Sequence, residues 1–309
     1  MSATAYFAQP DSEWERLGRD DRRPVADTWA VPFRWICSVR VTYATGRATR
    51  GTGVLVGPRQ VLTAAHCLFR KSDGADPKSV EVSPGRSGRR YPVGTFTAAT
   101  FSVPGPFLSP PEGKGRKARS RSAFDIGMIT LDRDVSGLVP RDMPGAQPLG
   151  YWGSPRLGRG SRLRALSRTY LTGKGVSVAG YPTDHCGARL FDPGIGCDRR
   201  DFASVSFHHT GTVSFADALP SLFLHDADAS KGQSGCPVWL RTVDGSRYLV
   251  GIHLGPRVQR DPTTRKRLPV TSNRARHLDA EALAFIASWM PGVAVQTEMA
   301  TSRPTLADT

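Results

Sequence analysis

Short runs of alternating apolar and polar residues dominate the chain and predict a structure built mainly of β-strands. The first such run covers 36–41, and two apolar runs at 53–56 and 61–63 flank a turn at 57–60. Neighbouring strand runs joined by a short turn are typical of antiparallel pairing. We therefore expect an antiparallel meander to begin near residue 36.

Strand patterns return in the C-terminal half of the chain. Residues 124–131 form another apolar run, whereas residues 133–175 are rich in Gly, Pro and Arg and are typical of a linker between two halves. Strand patterns resume at 176–182, and the runs 238–241 and 248–253 predict a hairpin. The sequence therefore predicts two groups of strands.

Apolar residues near the C-terminus recur with helical spacing and predict one amphipathic helix. Its apolar face consists of Leu278, Ala282, Phe285, Ile286 and Trp289. Asp279 stands where an N-cap is needed, and Pro291 followed by Gly292 ends the pattern. The polar residues 1–30 predict an N-terminal arm or leader, and residues 292–309 predict a flexible tail.

The composition supports a globular protein with a basic surface. Of the 309 residues 39% are hydrophobic, and the 32 Gly and 24 Pro favour many turns over long helices. The net charge is +15, but the basic residues concentrate in loop-like stretches, 114–121 and 156–168, without interleaved aromatic residues or a zinc-finger spacing. The sequence therefore predicts a solvated basic surface and no specific nucleic-acid binding.

The five cysteines are an odd number, so at least one thiol has no partner within the chain. Cys186 and Cys197 enclose a loop of ten residues (197 − 186 − 1) that contains Gly and Pro. A disulfide between them is expected in an oxidising compartment, and the alternative is two unrelated buried thiols. The chain has no Cys-x-x-Cys pair of the metal-binding kind, and we predict neither a metal nor a cofactor.

The start of the chain does not resemble a secretory signal. Residues 1–14 lack a basic segment followed by an apolar run, and no apolar stretch anywhere is long enough to span a bilayer. A protein that is not exported by the usual signal and one whose signal was removed both fit this pattern.

The stretch Gly232-Gln233-Ser234-Gly235 has the composition of a nucleophile loop. A serine between glycines can occupy a tight turn in which the backbone amides of Gly232 and Ser234 point at one spot, as an oxyanion requires. The alternative is a Gly/Ser turn that leads into the strand beginning at Pro237.

Two further residues complete the chemistry of a serine hydrolase. His66 lies just past the end of an apolar strand, and Asp125 lies between residues that favour burial. Each has a purely structural alternative, a lone histidine or a capping aspartate. Together with Ser234 they supply a nucleophile, a base that removes its proton and a carboxylate that fixes the tautomer of the base.

The motifs around these residues resemble the chymotrypsin-like serine proteases. They are the runs 51–56 and 63–67, the strand 125–131 and the loop 232–235, which occur in the family's order His, Asp, Ser. Within the family the chain is most similar to the bacterial glutamyl endopeptidase branch. The runs that match this branch are 178–182, 226–234, 237–239 and 251–253.

The resemblance extends over roughly residues 20–291 and implies an all-β fold. It implies two antiparallel six-stranded β-barrels, covering 31–150 and 151–291, with a C-terminal α-helix and an active site in the cleft between the barrels. It also implies a monomeric serine endopeptidase that acts on protein or peptide substrates without a cofactor and is secreted or periplasmic, with a cytoplasmic location left open by the lack of a visible signal.

The same resemblance suggests the residues that bind the substrate side chain before the cut bond, the P1 side chain. His253 corresponds to a histidine of the S1 pocket that binds a P1 carboxylate, which would favour Glu or Asp. Ala229 stands where many members of the branch have a threonine, and Ser230 is a candidate replacement for that hydroxyl. The alternative is that His253 only fills the strand edge and that small or apolar P1 residues are preferred.

Some positions depart from the family pattern. Gln233 stands where trypsins have an aspartate that captures a freed N-terminus, so that activation switch is expected to be absent. Cys236 replaces a small residue, Lys231 is expected to face solvent, and Cys67 lacks its usual partner, for which Cys37 is the candidate.

Two alternative functions remain at this point. One is a catalytically silent homologue that binds partners through the basic surface, although such a homologue usually loses a member of the triad and this chain keeps all three. The other is an esterase that uses the same triad.

Overall fold

The structure is a computed structural model of the whole chain. It describes residues 17, 20–69, 77–109, 121–155, 160–183, 204–219, 221–291 and 296–300, the last of these ranges by its backbone alone. In chain order its elements are β1 (Arg23–Pro24), a 3-10 turn (Phe33–Trp35), β2 (Ile36–Tyr43), β3 (Ala48–Leu55), β4 (Gln60–Thr63), α1 (Ala65–Leu68), β5 (Pro77–Pro84), β6 (Phe96–Ser102), α2 (Gly105–Leu108), a 3-10 turn (Arg121–Phe124), β7 (Gly127–Leu131), β8 (Ser161–Arg162), β9 (Arg164–Leu166), α3 (Arg168–Leu171), β10 (Gly175–Gly180), β11 (Phe207–Ser214), β12 (Leu222–His225), β13 (Pro237–Arg241), β14 (Arg247–Pro256), β15 (Asn273–His277), α4 (Ala280–Ser288) and β16 (Gln296–Ala300).

Six strands of the N-terminal half close into a barrel in the order β2-β3-β4-β7-β6-β5, with β5 paired back to β2. All of these pairings are antiparallel. Alternate residues of a strand point to the same face, so one apolar set fills the interior. That interior includes Val39, Val54, Leu62 and Ile129.

Six strands of the C-terminal half close into a second antiparallel barrel in the order β11-β10-β13-β14-β15-β12, because β12 also pairs with β11. Two short strands extend it: β1 pairs with β11, and β8 runs parallel to β14. Its core contains Val178, Val238, Leu240 and Val250. The predicted all-β fold of two six-stranded barrels is confirmed.

The predicted C-terminal helix is confirmed as α4. Its N-cap is Asp279, whose carboxylate accepts a hydrogen bond from the Ala282 amide at 2.9 Å. Leu278, Leu283 and Ile286 are fully buried in the same apolar cluster as the first barrel. The helix therefore ties the end of the second barrel to the first.

The stretch 133–175 is packed more tightly than a simple linker. Its Trp152 is 1% exposed and stacks edge-on between Trp35 of the first barrel, at 5.7 Å, and Trp239 of the second, at 6.1 Å. The composition suggested a linker because it is rich in Gly, Pro and Arg, but a few large apolar residues are enough to anchor it.

The segments expected to be an arm and a tail also make ordered contacts. Within 1–30, β1 pairs with β11, and Trp29 is 5% exposed. Within 292–309, β16 pairs in parallel with β9. Pairing with β11 of the second barrel and with β9, which lies outside both barrels, gives these polar segments partners for their backbone groups.

The cysteine expectations have mixed outcomes. Cys186 and Cys197 lie outside the described residues, so their pairing stays a prediction. The suggested pairing of Cys67 with Cys37 is wrong, since both are buried thiols. The Cys37 sulfur contacts the carbonyl of Trp35 at 3.3 Å, whereas the Cys67 sulfur contacts the carbonyl of Ser234 at 3.4 Å. Across the ranges that the structure describes, none of the helices has the length and apolar character needed to cross a bilayer.

Candidate active site

The pairing of β4 with β7 brings His66 and Asp125 together. Thr63 at the end of β4 lies opposite Gly127 at the start of β7, so the residues just beyond these two ends meet at one edge of the barrel. His66 Nδ1 lies 2.7 Å from Asp125 Oδ2, and the His66 amide donates to Asp125 Oδ1 at 2.9 Å. Both oxygens of the carboxylate are therefore held by the same residue.

This contact fixes the tautomer of the imidazole. A carboxylate can only accept, so the proton of neutral His66 is on Nδ1, and Nε2 is left as an acceptor. The His66 side chain keeps 28% of its surface exposed, while that of Asp125 keeps 11%. The imidazole can thus exchange a proton with a group in the cleft.

Two opposing effects act on the pKa of His66. Burial disfavours the imidazolium and lowers the pKa, but the Asp125 carboxylate raises it by charge attraction and hydrogen bonding, and Cys67 adds to this. The net result is a pKa well above the ordinary value of 6.5. The site therefore favours the imidazolium that would form when His66 takes up a proton.

Thr52 of β3 holds the loop that carries Ser234, which we call the serine loop (residues 228–236). The Thr52 amide donates to the Ser234 carbonyl at 2.9 Å, and its hydroxyl donates to the Gly232 carbonyl at 2.9 Å. The hydroxyl also accepts from the Tyr181 amide at 2.9 Å. A strand of the first barrel thus fixes a loop of the second.

The glycines of this loop are required by space as well as conformation. Gly232 and Gly235 have φ of +97° and +86°, a region that other residues rarely adopt. A Cβ at Gly232 would meet the Tyr181 carbonyl at 2.5 Å, and one at Gly235 would overlap the Thr52 carbonyl. The turn can approach β3 only because both positions lack a side chain.

The carbonyls on either side of the turn orient its amides. The Lys231 carbonyl accepts from the Thr183 amide at 2.7 Å, so the Gly232 N–H on the same peptide points the opposite way. The Gln233 carbonyl accepts from the Cys236 amide at 3.0 Å, which orients the Ser234 N–H in the same manner.

The amides of Gly232 and Ser234 are available to a ligand. Among the described residues, neither N–H donates a hydrogen bond to a protein acceptor. Two oriented donors of this kind are what a developing oxyanion needs.

The serine loop meets the His66 side of the cleft at Cys67. The Cys67 sulfur lies 3.4 Å from the Ser234 carbonyl. Gly51 of β3 lies beside this contact, and a Cβ at that position would meet the sulfur at 3.0 Å. His66 is the neighbour of Cys67 in α1. The structure therefore brings the three candidate triad residues to one place where the barrels meet.

The candidate S1 residues are all buried in the second barrel. His253 of β14 is fully buried, and one ring nitrogen lies 3.1 Å from Nε2 of His225 on β12. Ala229 is fully buried, and the Ser230 hydroxyl accepts from Arg22 Nη1 at 2.6 Å. Lys231 faces solvent, as expected.

Sequence reasoning missed Thr52, His225 and Arg22. Burial, together with the nearby His253, holds the pKa of His225 well below its ordinary value, so His225 is neutral at neutral pH. His225 and His253 lie on β12 and β14, which β15 separates in the barrel, so the strand pattern alone gives no sign of their contact. Thr52 lies within the run 51–56, but nothing in that run points to its bonds with the serine loop, and Arg22 belongs to no recognisable motif.

Comparison with known proteins assigns the family. A family model described as a trypsin-like peptidase domain matches residues 51–252. The chain is 26% identical over 223 residues to a glutamyl endopeptidase of Bacillus licheniformis, covering 72% of this chain and 54% of that protein. It is 25% identical over 255 residues to an extracellular metalloprotease of Bacillus subtilis, covering 79% of this chain and 66% of that protein.

Among solved structures, a Glu endopeptidase in complex with MPD matches with a TM-score of 0.58 at 21% identity, covering 88% of this chain and 98% of that one. This match shows the fold. The chain spans between about half and two thirds of the length of the two curated relatives. In the described ranges, no three His, Cys, Asp or Glu side chains are grouped as they would be around a metal ion.

Replacing Thr52 with Val is expected to destabilise the protein. Valine keeps the shape but removes the hydroxyl that serves the Gly232 carbonyl and the Tyr181 amide, and each buried group left unsatisfied costs about 1–3 kcal/mol. We expect the free energy of unfolding, measured in urea, to fall by about 3 kcal/mol. Thr49→Val, on the partly exposed part of β3, should change it by less than about 0.5 kcal/mol. Equal unfolding midpoints for the two variants would contradict the role of Thr52.

Proposed function

Since the chain belongs to the family of trypsin-like peptidase domains, we propose that it is a serine endopeptidase in which Ser234 is the nucleophile. His66 is the general base, and Asp125 orients it. The observation that carries the proposal is the pairing of His66 with both oxygens of Asp125 beside a loop whose two amides are unoccupied by the described residues.

Each residue has one task in the proposed reaction. Nε2 of His66 takes the proton of the Ser234 hydroxyl as the oxygen attacks the substrate carbonyl. The amides of Gly232 and Ser234 stabilise the negative charge that moves onto the carbonyl oxygen, while Asp125 stabilises the imidazolium. His66 then gives the proton to the leaving amine, and a water molecule repeats the sequence to release the acyl group from Ser234.

The relatives' printed names support two finer proposals. One relative is named for cleavage at glutamyl residues and the other is named extracellular, and we extend both properties to this chain, as acidic P1 preference and secretion. A protein or peptide is the proposed substrate, and the monomeric state stays a prediction.

The P1 proposal rests on the paired histidines of the second barrel. A carboxylate that leaves water needs donors in the pocket, and His253 on β14 can donate when its other nitrogen bonds neutral His225. Ala229 offers no hydroxyl, and the Ser230 hydroxyl is tied to Arg22. His253 is therefore the main candidate donor of these three positions.

A fluorophosphonate probe should modify Ser234. Mass mapping after labelling is expected to place the adduct on Ser234, and Ser234→Ala should lower peptide turnover about 10⁶-fold because the nucleophile is lost. Ser288→Ala, which changes an exposed serine of α4, should label and turn over as the wild type does. Unchanged turnover in Ser234→Ala would refute the assignment. Turnover of esters without cleavage of peptides would favour the esterase alternative, and no labelling of wild type would favour the silent homologue.

The rate should depend on pH through His66. Only neutral imidazole accepts the serine proton, and the raised pKa means that protonation begins at a higher pH than for an ordinary histidine. We expect kcat/KM to fall as the pH drops, with a midpoint above 6.5. In Asp125→Asn the rate should fall about 10⁴-fold, and the midpoint should move to lower pH because the attracting charge is gone. A midpoint that is the same in both proteins would argue against this pairing.

Cleavage sites in a denatured protein mixture should be enriched in Glu or Asp at P1. His253→Gln should reduce kcat/KM for a Glu substrate about 100-fold relative to a Leu substrate, because the donor geometry is lost. His208→Gln, which changes a partly buried histidine of β11, should leave the ratio unchanged. Absence of acidic enrichment in the wild type would overturn the P1 proposal and leave the endopeptidase proposal standing.

A further inference from the structure

We propose that Arg22 is a positioning residue that holds the serine loop in its active shape, and that the side chain of Arg22 and the backbone of the N-terminal segment around it (residues 17 and 20–25) thereby support the candidate active site. The inference rests on the proposed function, because the shape in question is that of the two amides beside Ser234. It concerns a side chain that lies 212 positions from Ser234 (234 − 22).

Arg22 reaches the serine loop from outside the second barrel. It is 1% exposed, and its Nη1 donates to the Ser230 hydroxyl at 2.6 Å and to Gln233 Oε1 at 3.0 Å. Gln233 Oε1 also accepts from the Ser230 amide at 3.0 Å. One guanidinium nitrogen thus links Ser230 and Gln233, which lie on either side of the Lys231–Gly232 turn.

The positive charge of Arg22 is compensated within its own segment. Asp20 accepts from Arg22 Nε at 2.9 Å and from Nη2 at 2.8 Å, a two-point contact that fixes the plane of the guanidinium. Gln233, which is neutral, therefore suits this site better than a second carboxylate, which would add a buried charge without a cation of its own. A neutral Gln233 thus fits a site in which the charge of Arg22 is already balanced by Asp20.

The segment is fastened to the serine loop at a second point. The Asp228 carboxylate, in a residue that is 2% exposed, accepts from the Leu17 amide at 2.7 Å and from the Asp21 amide at 3.1 Å. Just beyond Arg22, β1 pairs with β11 at Arg23 and His208. The start of the loop and the residue before Ser234 are thus both held by one segment.

These contacts bear directly on the candidate oxyanion hole. Gln233 carries the carbonyl that orients the Ser234 amide, and its own amide donates to the Ser230 carbonyl at 3.0 Å. Without the guanidinium, Gln233 Oε1 loses one of its two partners and keeps only the Ser230 amide, and the Ser230 hydroxyl loses its donor, so the turn from Ser230 to Gln233 can open. The expected consequence is a loss in the chemical step rather than in substrate binding.

The test compares Arg22→Ala and Arg22→Lys with Arg23→Ala, a change of the exposed neighbouring arginine. We expect Arg22→Ala to lower kcat about 100-fold with KM changed less than about threefold, and Arg22→Lys to recover part of the loss because it keeps a cation that can reach one acceptor. Added guanidinium ion should partly restore Arg22→Ala and should not change Arg23→Ala. Each kcat is corrected for the folded fraction from thermal unfolding. If Arg22→Ala does not fold, the kcat of Arg22→Lys is compared with that of Arg23→Ala: a lower kcat in Arg22→Lys supports the proposal, and an equal kcat contradicts it.

Hydrogen–deuterium exchange of the backbone amides of residues 226–236 measures how firmly the serine loop is held, and it does not depend on activity. Faster exchange in Arg22→Ala than in Arg23→Ala would support the proposal. Equal exchange together with equal kcat in the two variants would overturn it. If the wild type fails to label with fluorophosphonate, the proposed function is lost, yet the exchange comparison still decides whether Arg22 holds the loop.

Discussion

Thr52 makes four hydrogen bonds, and three of them join the two barrels at the place where the candidate site needs them joined, while the fourth, from Thr63, lies within the first barrel. Its backbone and hydroxyl donate to the carbonyls of Ser234 and Gly232, its hydroxyl accepts from Tyr181, and its carbonyl accepts from Thr63 at 2.7 Å. All of these groups are buried or partly buried, so water cannot replace the bonds without cost. The position of the serine loop relative to the first barrel, which carries His66, is thus set by a residue that has no part in the proposed chemistry.

Buried charge around the site is balanced locally. Asp125 is held by His66, Arg22 by Asp20, and Asp228 by two backbone amides. A buried ion without a partner costs several kcal/mol, so each of these groups constrains the position of its neighbour.

The parts of the site that follow one another in sequence could be predicted from it. The glycines beside Ser234, the histidine after an apolar strand and the N-cap of α4 can each be recognised from the residues next to them in the sequence, although the contacts of His66 and of the glycines reach far along the chain. Arg22 and Thr52 act across more than 100 positions, and a single arginine or threonine gives no local sign of its partner. The prediction of a simple linker over residues 133–175 was incomplete for a related reason. The composition of the stretch is that of a linker, but the packing of Trp152 against Trp35 and Trp239 depends on residues far away in the chain.

The long reach of these contacts implies that the site exists only in the complete fold. His66 and Asp125 are 59 positions apart, Thr52 and Gly232 are 180 apart, and Leu17 and Asp228 are 211 apart. The entropy lost in closing such loops is recovered only by the cores of both barrels, because a few hydrogen bonds contribute about 1 kcal/mol each. Neither barrel alone contains the candidate base His66, the candidate nucleophile Ser234 and the residues that hold them. The N-terminal segment, although polar and short of apolar residues, belongs to the same cooperative unit, since Arg22 and the backbone amides of the segment have their partners in the serine loop, more than 200 positions later in the chain.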